Sequence, residues 1–285
     1  MILNLKIFLT SINPIDLLLW TIRRNEKDVV NLYNSLSPVM QLATGGNMLN
    51  FGYWDNDHQD PISAQENLCD VFAEMAELDS CETLLDVGSG LSSPAIFWRR
   101  KFSNLSIFCI NINYSQLCYS GPQQKIEFFN SSSTKLPFDG KSVDRILALE
   151  SSQHFKPFSD FISESKRILS DSGLLVLAIP ITLNSASLLK LGLLKFTWSS
   201  EHYTLDEIKK MIISEGFVIS EEKLIGSSVY DPLADYYLKN REELKKSILK
   251  QYSPFVEKIL FKSIQKMKKA SQNNAIDYVL LKCHL

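Results

Sequence analysis

The chain has 285 residues, enough for one large core or one domain with appendages. A hydrophobic content of 45% and a charged content of 22% are ordinary for a globular protein, and the net charge of -2 gives no overall attraction toward nucleic acid. The five cysteines show no CxxC or other metal-binding spacing, which indicates free thiols in a reducing, cytoplasmic compartment.

Residues 1–44 are predicted to form a helical segment, with a helix over Glu26–Leu42. Its apolar stretches, Met1–Leu9 and Ile15–Trp20, are both shorter than the roughly 20 apolar residues that span a bilayer. We expect no signal peptide here, because a basic start and a small-residue cleavage site are lacking. Two interpretations remain: a helix that packs on the core or closes over a substrate, and an interfacial membrane anchor.

A loop rich in glycine and aromatic residues is predicted at 45–54. Its residues Tyr53 and Trp54 have two interpretations, as a flat wall over a ligand or as fillers of gaps in the core. A helix follows, and Ser63 with Glu66 has the spacing of a capping box at its start.

The stretch 84–93 predicts a strand, a tight turn and a helix N-terminus. Gly88 and Gly90 lack the Cβ atoms that would keep a ligand away from the backbone, and the helix dipole adds positive charge. A dinucleotide-binding loop would have a third glycine where Ser93 stands. Asp86 would repel a pyrophosphate, whereas it favours a cationic ligand.

Three more strands are predicted at 106–112, 125–129 and 142–149, each followed by polar residues. In open α/β sheets, ligands bind beyond the carboxyl ends of such strands. His154 is the candidate general base, because imidazole titrates near neutral pH. The residues at or just beyond these ends include Asn111, Ile112, Gln116, Ser132, Ser133, Glu150 and His154.

The rest of the chain is predicted to complete an α/β sheet and to add a helical insertion. A turn at Ser170–Gly173 leads into a fifth strand, and Thr204 caps a helix before the sixth. The predicted segments are a helix at Phe158–Leu169, a strand at Leu174–Ile179, an apolar stretch at Leu183–Trp198, a strand from Val218 and a final strand at Ile276–Lys282.

The insertion, Tyr230–Ala270, is predicted to be helical and broken near Pro254. Residues 239–269 hold ten Lys or Arg against three Glu, so charge is unevenly distributed along the chain. One interpretation is a lid whose basic face is solvated, and the other is a basic amphipathic surface that docks on anionic lipid. Nucleic-acid binding is disfavoured, because no stacking platform of aromatic residues accompanies the lysines.

Several of these motifs together resemble the class I S-adenosylmethionine-dependent methyltransferases of the small-molecule and lipid type, which act on sterols, tocopherols, phosphoethanolamine and macrocycle sugars. The matching patterns are L-N-x-G-Y-W at 49–54, D-x-G-x-G at 86–90, N-x-N-x-x-Q at 111–116, L-P-F at 136–138 and E-S-x-x-H at 150–154. The resemblance covers residues 45–180 well, and 200–228 and 275–285 loosely.

This resemblance implies an α/β fold: a Rossmann-like, seven-stranded, mostly parallel sheet with helices on both faces, plus the helical N-terminal segment and a C-terminal helical lid insertion. It also implies four regions. These are an N-terminal helical segment at 1–44, a cofactor-binding core at 45–180, a lid with a core helix, strand and basic insertion at 181–274, and a final core strand at 275–285.

The resemblance also implies roles for the candidate residues. The sequence departs from the family at Asn111 and Ser132, where the family carries carboxylates that bind the ribose and the adenine. It also departs at Ile179, where some relatives carry a carboxylate. Gln65, Asp86, Gly88 and Gly90 would bind the methionine end of the cofactor, Asn111 the ribose, and Ser132 and Ser133 the adenine. Tyr53 and Trp54 would cover the cofactor, and Ile112, Gln116 and Glu150 would make further contacts with it. His154 would face the acceptor.

The function implied is methyl transfer from S-adenosylmethionine to a small, apolar or lipid-like acceptor, with peripheral membrane contact as a further expectation. One alternative is a cyclopropane-forming lipid enzyme that uses the same cofactor. A second is a non-catalytic protein that kept the fold. It is motivated by the departures at Asn111 and Ser132, by Ser172 where the family has glycine, and by the missing carboxylate at the end of the fifth strand. Asp86 and the missing third glycine oppose a nicotinamide-dependent oxidoreductase.

Overall fold

A seven-stranded sheet forms the centre of the protein in the computed structural model, which describes residues 25–183 and 201–285. Its order is β3-β2-β1-β4-β5-β7-β6, and β7 alone runs antiparallel, to both β5 and β6. The predicted seven-stranded, mostly parallel sheet is confirmed. The strands are β1 Thr83–Val87, β2 Ser106–Ile110, β3 Ile126–Phe129, β4 Val143–Leu149, β5 Leu169–Thr182, β6 Val218–Leu224 and β7 Ile276–His284.

Helices cover both faces of the sheet. Neighbouring strand residues point to opposite faces, so Leu84 packs with Phe72 and Trp98 on one side, while Leu85 packs with Phe161 and Ile208 on the other. The helices are α1 Glu26–Thr44, α2 Pro61–Met75, α3 Ser93–Lys101, α4 Tyr114–Leu117, α5 Phe158–Ile168, α6 Leu205–Ser214, α7 Tyr230–Lys239, α8 Arg241–Leu249 and α9 Pro254–Gln272.

The strand order reverses direction at β1. The chain passes from β1 outward to β2 and β3, then returns to β4 on the opposite side of β1. Loops at the carboxyl ends of β1 and β4 therefore diverge and leave a crevice between them, where open α/β sheets bind ligands.

Helix α1 forms a roof over this crevice. Its start is fixed by a capping box between Asn25 and Asp28, and its end by Gly45 in the left-handed conformation. Val39 packs into a separate apolar cluster with Ile248 and Val256 of α8 and α9. The C-terminal insertion thus supports the roof helix.

The predicted start of α2 is wrong. Its N-cap is Asp60, whose side chain accepts hydrogen bonds from the backbone N–H groups of Ile62 and Ser63. Pro61 occupies the first helical position, where its fixed φ suits the helix and its missing N–H costs nothing. The helix therefore begins two residues before Ser63.

The predicted turn at Ser170–Gly173 is also wrong, because β5 begins at Leu169. The register against β4 shifts between Val143 and Arg145, and this irregularity lets the strand continue. A Cβ on Gly173 would lie 2.5 Å from the Leu169 side chain, so the close approach requires glycine.

The helix cap at Thr204, the break in the insertion and the predicted lid can also be compared with the structure. The capping box of Thr204 with Glu207 is confirmed, and the insertion is broken before Pro254, which opens α9. Apart from Leu183, the predicted lid lies outside the described residues. Among the described helices, none is long and apolar enough to cross a bilayer.

Candidate active site

The crevice holds a cavity of about 930 Å³, including its open mouth. Its walls come from the roof helix, the 45–54 loop and the ends of β1, β2, β3 and β4. Of the predicted site residues, the cavity brings together Gly88, Gly90, Asn111, Ile112, Gln116, Ser133, Glu150 and His154.

The glycine loop is packed too closely to admit side chains. Gly88 has a φ of 77°, and a Cβ there would lie 2.4 Å from the Cβ of Ser151. The Ser151 hydroxyl donates in turn to the Val87 carbonyl at 2.6 Å. Gly90 has a φ of 55° and faces the cavity. Backbone therefore forms this wall of the site.

Asp86 lies behind the glycine loop and does not line the cavity. It is 2% exposed, and its Oδ2 has no hydrogen-bond partner among the described residues. Burial raises the pKa of this carboxyl to about 7. An unpartnered carboxylate in this position favours positive charge in the adjoining crevice.

Asn111 ties the end of β2 to the glycine loop. Its Nδ2 donates to the carbonyl of Gly90 at 3.1 Å and to Oε1 of Gln116 at 2.9 Å, while its Oδ1 accepts from the N–H of Asn113. Two more bonds hold the roof helix: Gln116 Nε2 donates to Ser37, and Asn113 Nδ2 donates to Asn34.

The serine-rich stretch after β3 forms the outer end of the cavity. Ser131 and Ser133 line it, whereas Ser132 does not. The Ser132 hydroxyl instead donates to Oε1 of Glu26 at 2.5 Å and lies 3.0 Å from the Thr134 hydroxyl. Glu26, on the first turn of α1, does line the cavity.

Glu150 is a buried carboxyl at the end of β4. Its Oε1 accepts from the backbone N–H of Phe51 at 2.8 Å and from the Tyr278 hydroxyl at 2.9 Å. Burial raises its pKa to about 8, although both hydrogen bonds act in the opposite direction. Because of that pKa, Glu150 is mostly uncharged at neutral pH.

His154 pairs with Tyr33, which none of the sequence motifs indicates as a site residue. The Tyr33 hydroxyl lies 2.9 Å from His154 Nε2, and the two rings are nearly perpendicular. Burial, with a smaller effect from Glu150, raises the pKa of Tyr33 well above its usual value. The spacing of Glu26, Val29, Val30 and Tyr33 along one helix face is the signal that could have found it.

Tyr53, Trp54 and Gln65 are placed away from the cavity. Trp54 Nε1 donates to the Phe51 carbonyl, and the ring lies against Tyr236. The Gln65 amide donates to two carbonyls of the 45–54 loop. These side chains shape the loop from behind, and its residues Asn47, Leu49 and Asn50 reach the cavity in place of the aromatic rings.

Fold and cavity together define an α/β protein with a ligand-sized crevice across the carboxyl ends of parallel strands. The residues present fit S-adenosylmethionine. A side-chain-free glycine wall admits a ligand close to the backbone, and the unpartnered Asp86 carboxyl complements an ammonium and a sulfonium.

Comparisons with known proteins agree with this class. Residues 85–177 match the methyltransferase domain family. The chain is 26% identical over 261 residues to an erythromycin 3''-O-methyltransferase of Saccharopolyspora erythraea, with 85% of each chain covered.

Two solved structures share the fold. The (4+2)-cyclase SpnF has a TM-score of 0.74 at 20% identity, with 91% of this chain and 96% of that chain covered. The mycolic acid cyclopropane synthase CmaA1, complexed with S-adenosylhomocysteine and CTAB, has a TM-score of 0.73 at 17% identity, with 91% and 94% covered. The matched methyltransferase domain and the likeness to the erythromycin 3''-O-methyltransferase support methyl transfer as the reaction and S-adenosylmethionine as the cofactor.

Proposed function

We propose that the protein methylates a hydroxyl group of a small, hydrophobic acceptor. The observation that carries this proposal is the pair of Tyr33 and His154, whose polar atoms lie 2.9 Å apart at the cavity. A hydroxyl must lose its proton as it is methylated, and an imidazole within hydrogen-bond reach can accept that proton.

The acceptor class follows from the other residues that line the cavity. Apolar side chains make up most of the lined surface. They come from the roof helix, the 45–54 loop, the glycine loop with the start of α3, and the segment after β4. The erythromycin 3''-O-methyltransferase supports oxygen as the methylated atom, and CTAB in the CmaA1 complex supports an acceptor with an apolar chain. These apolar lining residues include Val29, Val30, Leu49, Leu91, Pro94 and Phe155.

In this proposal the cofactor-binding residues hold a ligand that spans the strand ends. The backbone of Gly88 and Gly90 borders its methionine end, with Asp86 behind them. Asn111 and Ile112 border the ribose, and Ser133 borders the adenine. S-adenosylmethionine supplies a methyl carbon on a sulfonium, which is activated for direct displacement.

The chain's own residues align the acceptor and move one proton. The acceptor oxygen forms a bond to the methyl carbon, and the electron pair of the broken carbon–sulfur bond stays on sulfur. The acceptor hydroxyl gives its proton to the Tyr33 oxygen while the Tyr33 hydroxyl proton passes to His154 Nε2, to which it is already hydrogen-bonded. The same hydrogen bond fixes the orientation of the His154 ring from the roof helix. Closure by α1 excludes water from the reacting atoms.

The test is product analysis with the purified full chain. Incubation with S-adenosylmethionine and a panel of hydrophobic alcohols, macrolides and lipid extracts should give methyl ethers, identified by mass spectrometry and NMR. A cyclopropane ring in the product would establish the alternative lipid reaction. Absence of any product, with cofactor binding intact, would contradict methyl transfer to these acceptors.

We further propose that the four predicted regions have separate roles, with the core at 45–180 binding the cofactor. The insertion would make peripheral contact with a membrane. A basic stripe on α9, made of Lys258, Lys262, Lys266 and Lys269, follows one helix face, and Phe255 at its start is 49% exposed. None of these lysines takes part in an ion pair with the described residues. Such a face suits the anionic surface of a bilayer.

Replacing Lys258, Lys262 and Lys269 together by glutamine is expected to lower vesicle binding on the order of 100-fold, because each lysine near an anionic surface contributes about 1 kcal/mol. Co-sedimentation with phosphatidylserine-containing vesicles measures this, with phosphatidylcholine vesicles as the reference. A triple replacement of Lys101, Lys141 and Lys210 gives the same charge change elsewhere. Equal losses in both variants would show that the stripe has no special role.

A further inference from the structure

We propose that Glu26 of the roof helix recognises the adenine amino group of the cofactor, in place of the carboxylate that related enzymes carry after β3. This inference rests on the cofactor assignment alone and not on the acceptor. It concerns a residue outside the region matched by the methyltransferase family model, residues 85–177.

The sheet order places the adenine near Glu26. Neighbouring strands lie about 4.8 Å apart, so a ligand that starts at the glycine loop after β1 and passes the end of β2 reaches the end of β3 next. Ser131 and Ser133 line the cavity there, and Glu26 closes it from above. These three residues surround the end of the cavity opposite the methionine end.

Ser132 and Glu26 together build a substitute for the missing carboxylate. The Ser132 hydroxyl donates to Oε1 of Glu26 at 2.5 Å, so the serine fixes the glutamate in position rather than facing the ligand itself. No described residue bonds to the second oxygen, Oε2. A carboxylate oxygen only accepts hydrogen bonds, which suits the two N–H donors of an adenine amino group.

Helix α1 would then serve both the cofactor and His154 from one of its faces. Glu26 and Tyr33 are separated by seven residues, which is two helical turns and about 10 Å. The first residue would bind the adenine, and the second orients His154. A bound cofactor would thereby hold the roof helix in the position that assembles the Tyr33–His154 pair.

Calorimetric titration of the full chain with two ligands tests the inference. S-adenosylhomocysteine carries the 6-amino group, whereas S-inosylhomocysteine carries a 6-oxo group that a carboxylate repels. Glu26→Ala should weaken binding of the adenine ligand about tenfold, as expected for a partly solvated hydrogen bond to a charged group. It should leave the inosine ligand unchanged or more tightly bound, so that the preference for adenine disappears.

Two further variants separate recognition from structure. Glu26→Gln keeps an accepting oxygen and should lose only part of the preference, while Lys27→Ala on the same exposed turn should lose none. Thermal unfolding of each free variant checks that α1 is intact. Equal weakening of both ligands by Glu26→Ala would overturn the inference in favour of helix anchoring, and so would unchanged affinity. Failure of the wild-type chain to bind either ligand would overturn the cofactor assignment together with it.

Discussion

Replacing His154 by alanine is expected to lower kcat for methyl transfer about 10³-fold while the affinity for S-adenosylhomocysteine stays nearly constant. General-base catalysis typically contributes 10²–10⁴-fold, and His154 is the imidazole whose Nε2 lies at the cavity within 2.9 Å of Tyr33. The cofactor is held by backbone and polar groups at the ends of β1, β2 and β3. Steady-state kinetics with any acceptor found by product analysis, together with calorimetry, separates the two effects.

Two variants accompany this measurement. Tyr33→Phe removes the hydroxyl but keeps the ring. It should lower kcat about tenfold with little change in KM, because the imidazole stays while the hydroxyl that orients it and links it to the acceptor is lost. His58→Ala, which removes an exposed imidazole paired with Asp55, should leave the kinetics unchanged. Added imidazole should restore part of the activity of His154→Ala and none of that of Tyr33→Phe. If His154→Ala kept most of its kcat, the base would have to be another group.

The sheet was predictable because its signals are local. Mostly apolar runs such as Leu84–Val87, interrupted there by Asp86, mark buried strands, and the Gly88 and Gly90 pair marks the turn that follows this one. Parallel strands must be joined by crossovers, so the order of strands and helices then leaves few topologies. The same reasoning placed Asn111, Ser133 and His154 at one edge, and the structure brings all three to the cavity.

The roof of the site was not predictable in this way. Tyr33 meets His154 across 121 positions of the chain, and Glu26 meets Ser132 across 106. No local pattern encodes which helix closes over the crevice. Support for α1 comes from Ile248 and Val256, which lie still further along the chain. Long-range packing decided these contacts.

The positions of the aromatic residues in the 45–54 loop also depend on contacts with distant parts of the chain. A glycine-rich loop with Tyr53 and Trp54 fits either a cover for a ligand or a core filler. In the structure Trp54 is buried against Tyr236 of α7, and its indole N–H donates to the carbonyl of Phe51. The insertion supplied that site, and the loop sequence carries no information about it.

Replacing Asp86 by asparagine is expected to stabilise the free protein at pH 8 and to weaken cofactor binding. In the folded chain burial holds the pKa of Asp86 at about 7, whereas an unfolded aspartate titrates near 3.9. Below about pH 4 the carboxyl is protonated in both states. Between pH 4 and 7 the unfolded chain releases the proton first, so stability falls as pH rises, by about 4 kcal/mol in total, and then stays constant.

Chemical denaturation at pH 5 and pH 8 measures this. The fall in unfolding free energy between those values should be smaller in Asp86→Asn than in the wild type. Asp57→Asn is the control, because it removes an exposed aspartate and should leave the fall between pH 5 and pH 8 in place. Parallel curves for the wild type and Asp86→Asn would contradict the assignment.

Binding should change in the opposite direction. A cationic ligand favours the ionised form of Asp86, so wild-type affinity for S-adenosylmethionine, which carries a sulfonium and an ammonium, should rise as pH increases through 7. Asp86→Asn should bind more weakly at pH 8 and lose this part of the pH dependence. A variant that gains stability and loses affinity would show that the chain keeps an unpartnered, buried carboxyl behind the glycine loop for its cofactor, at the expense of its fold.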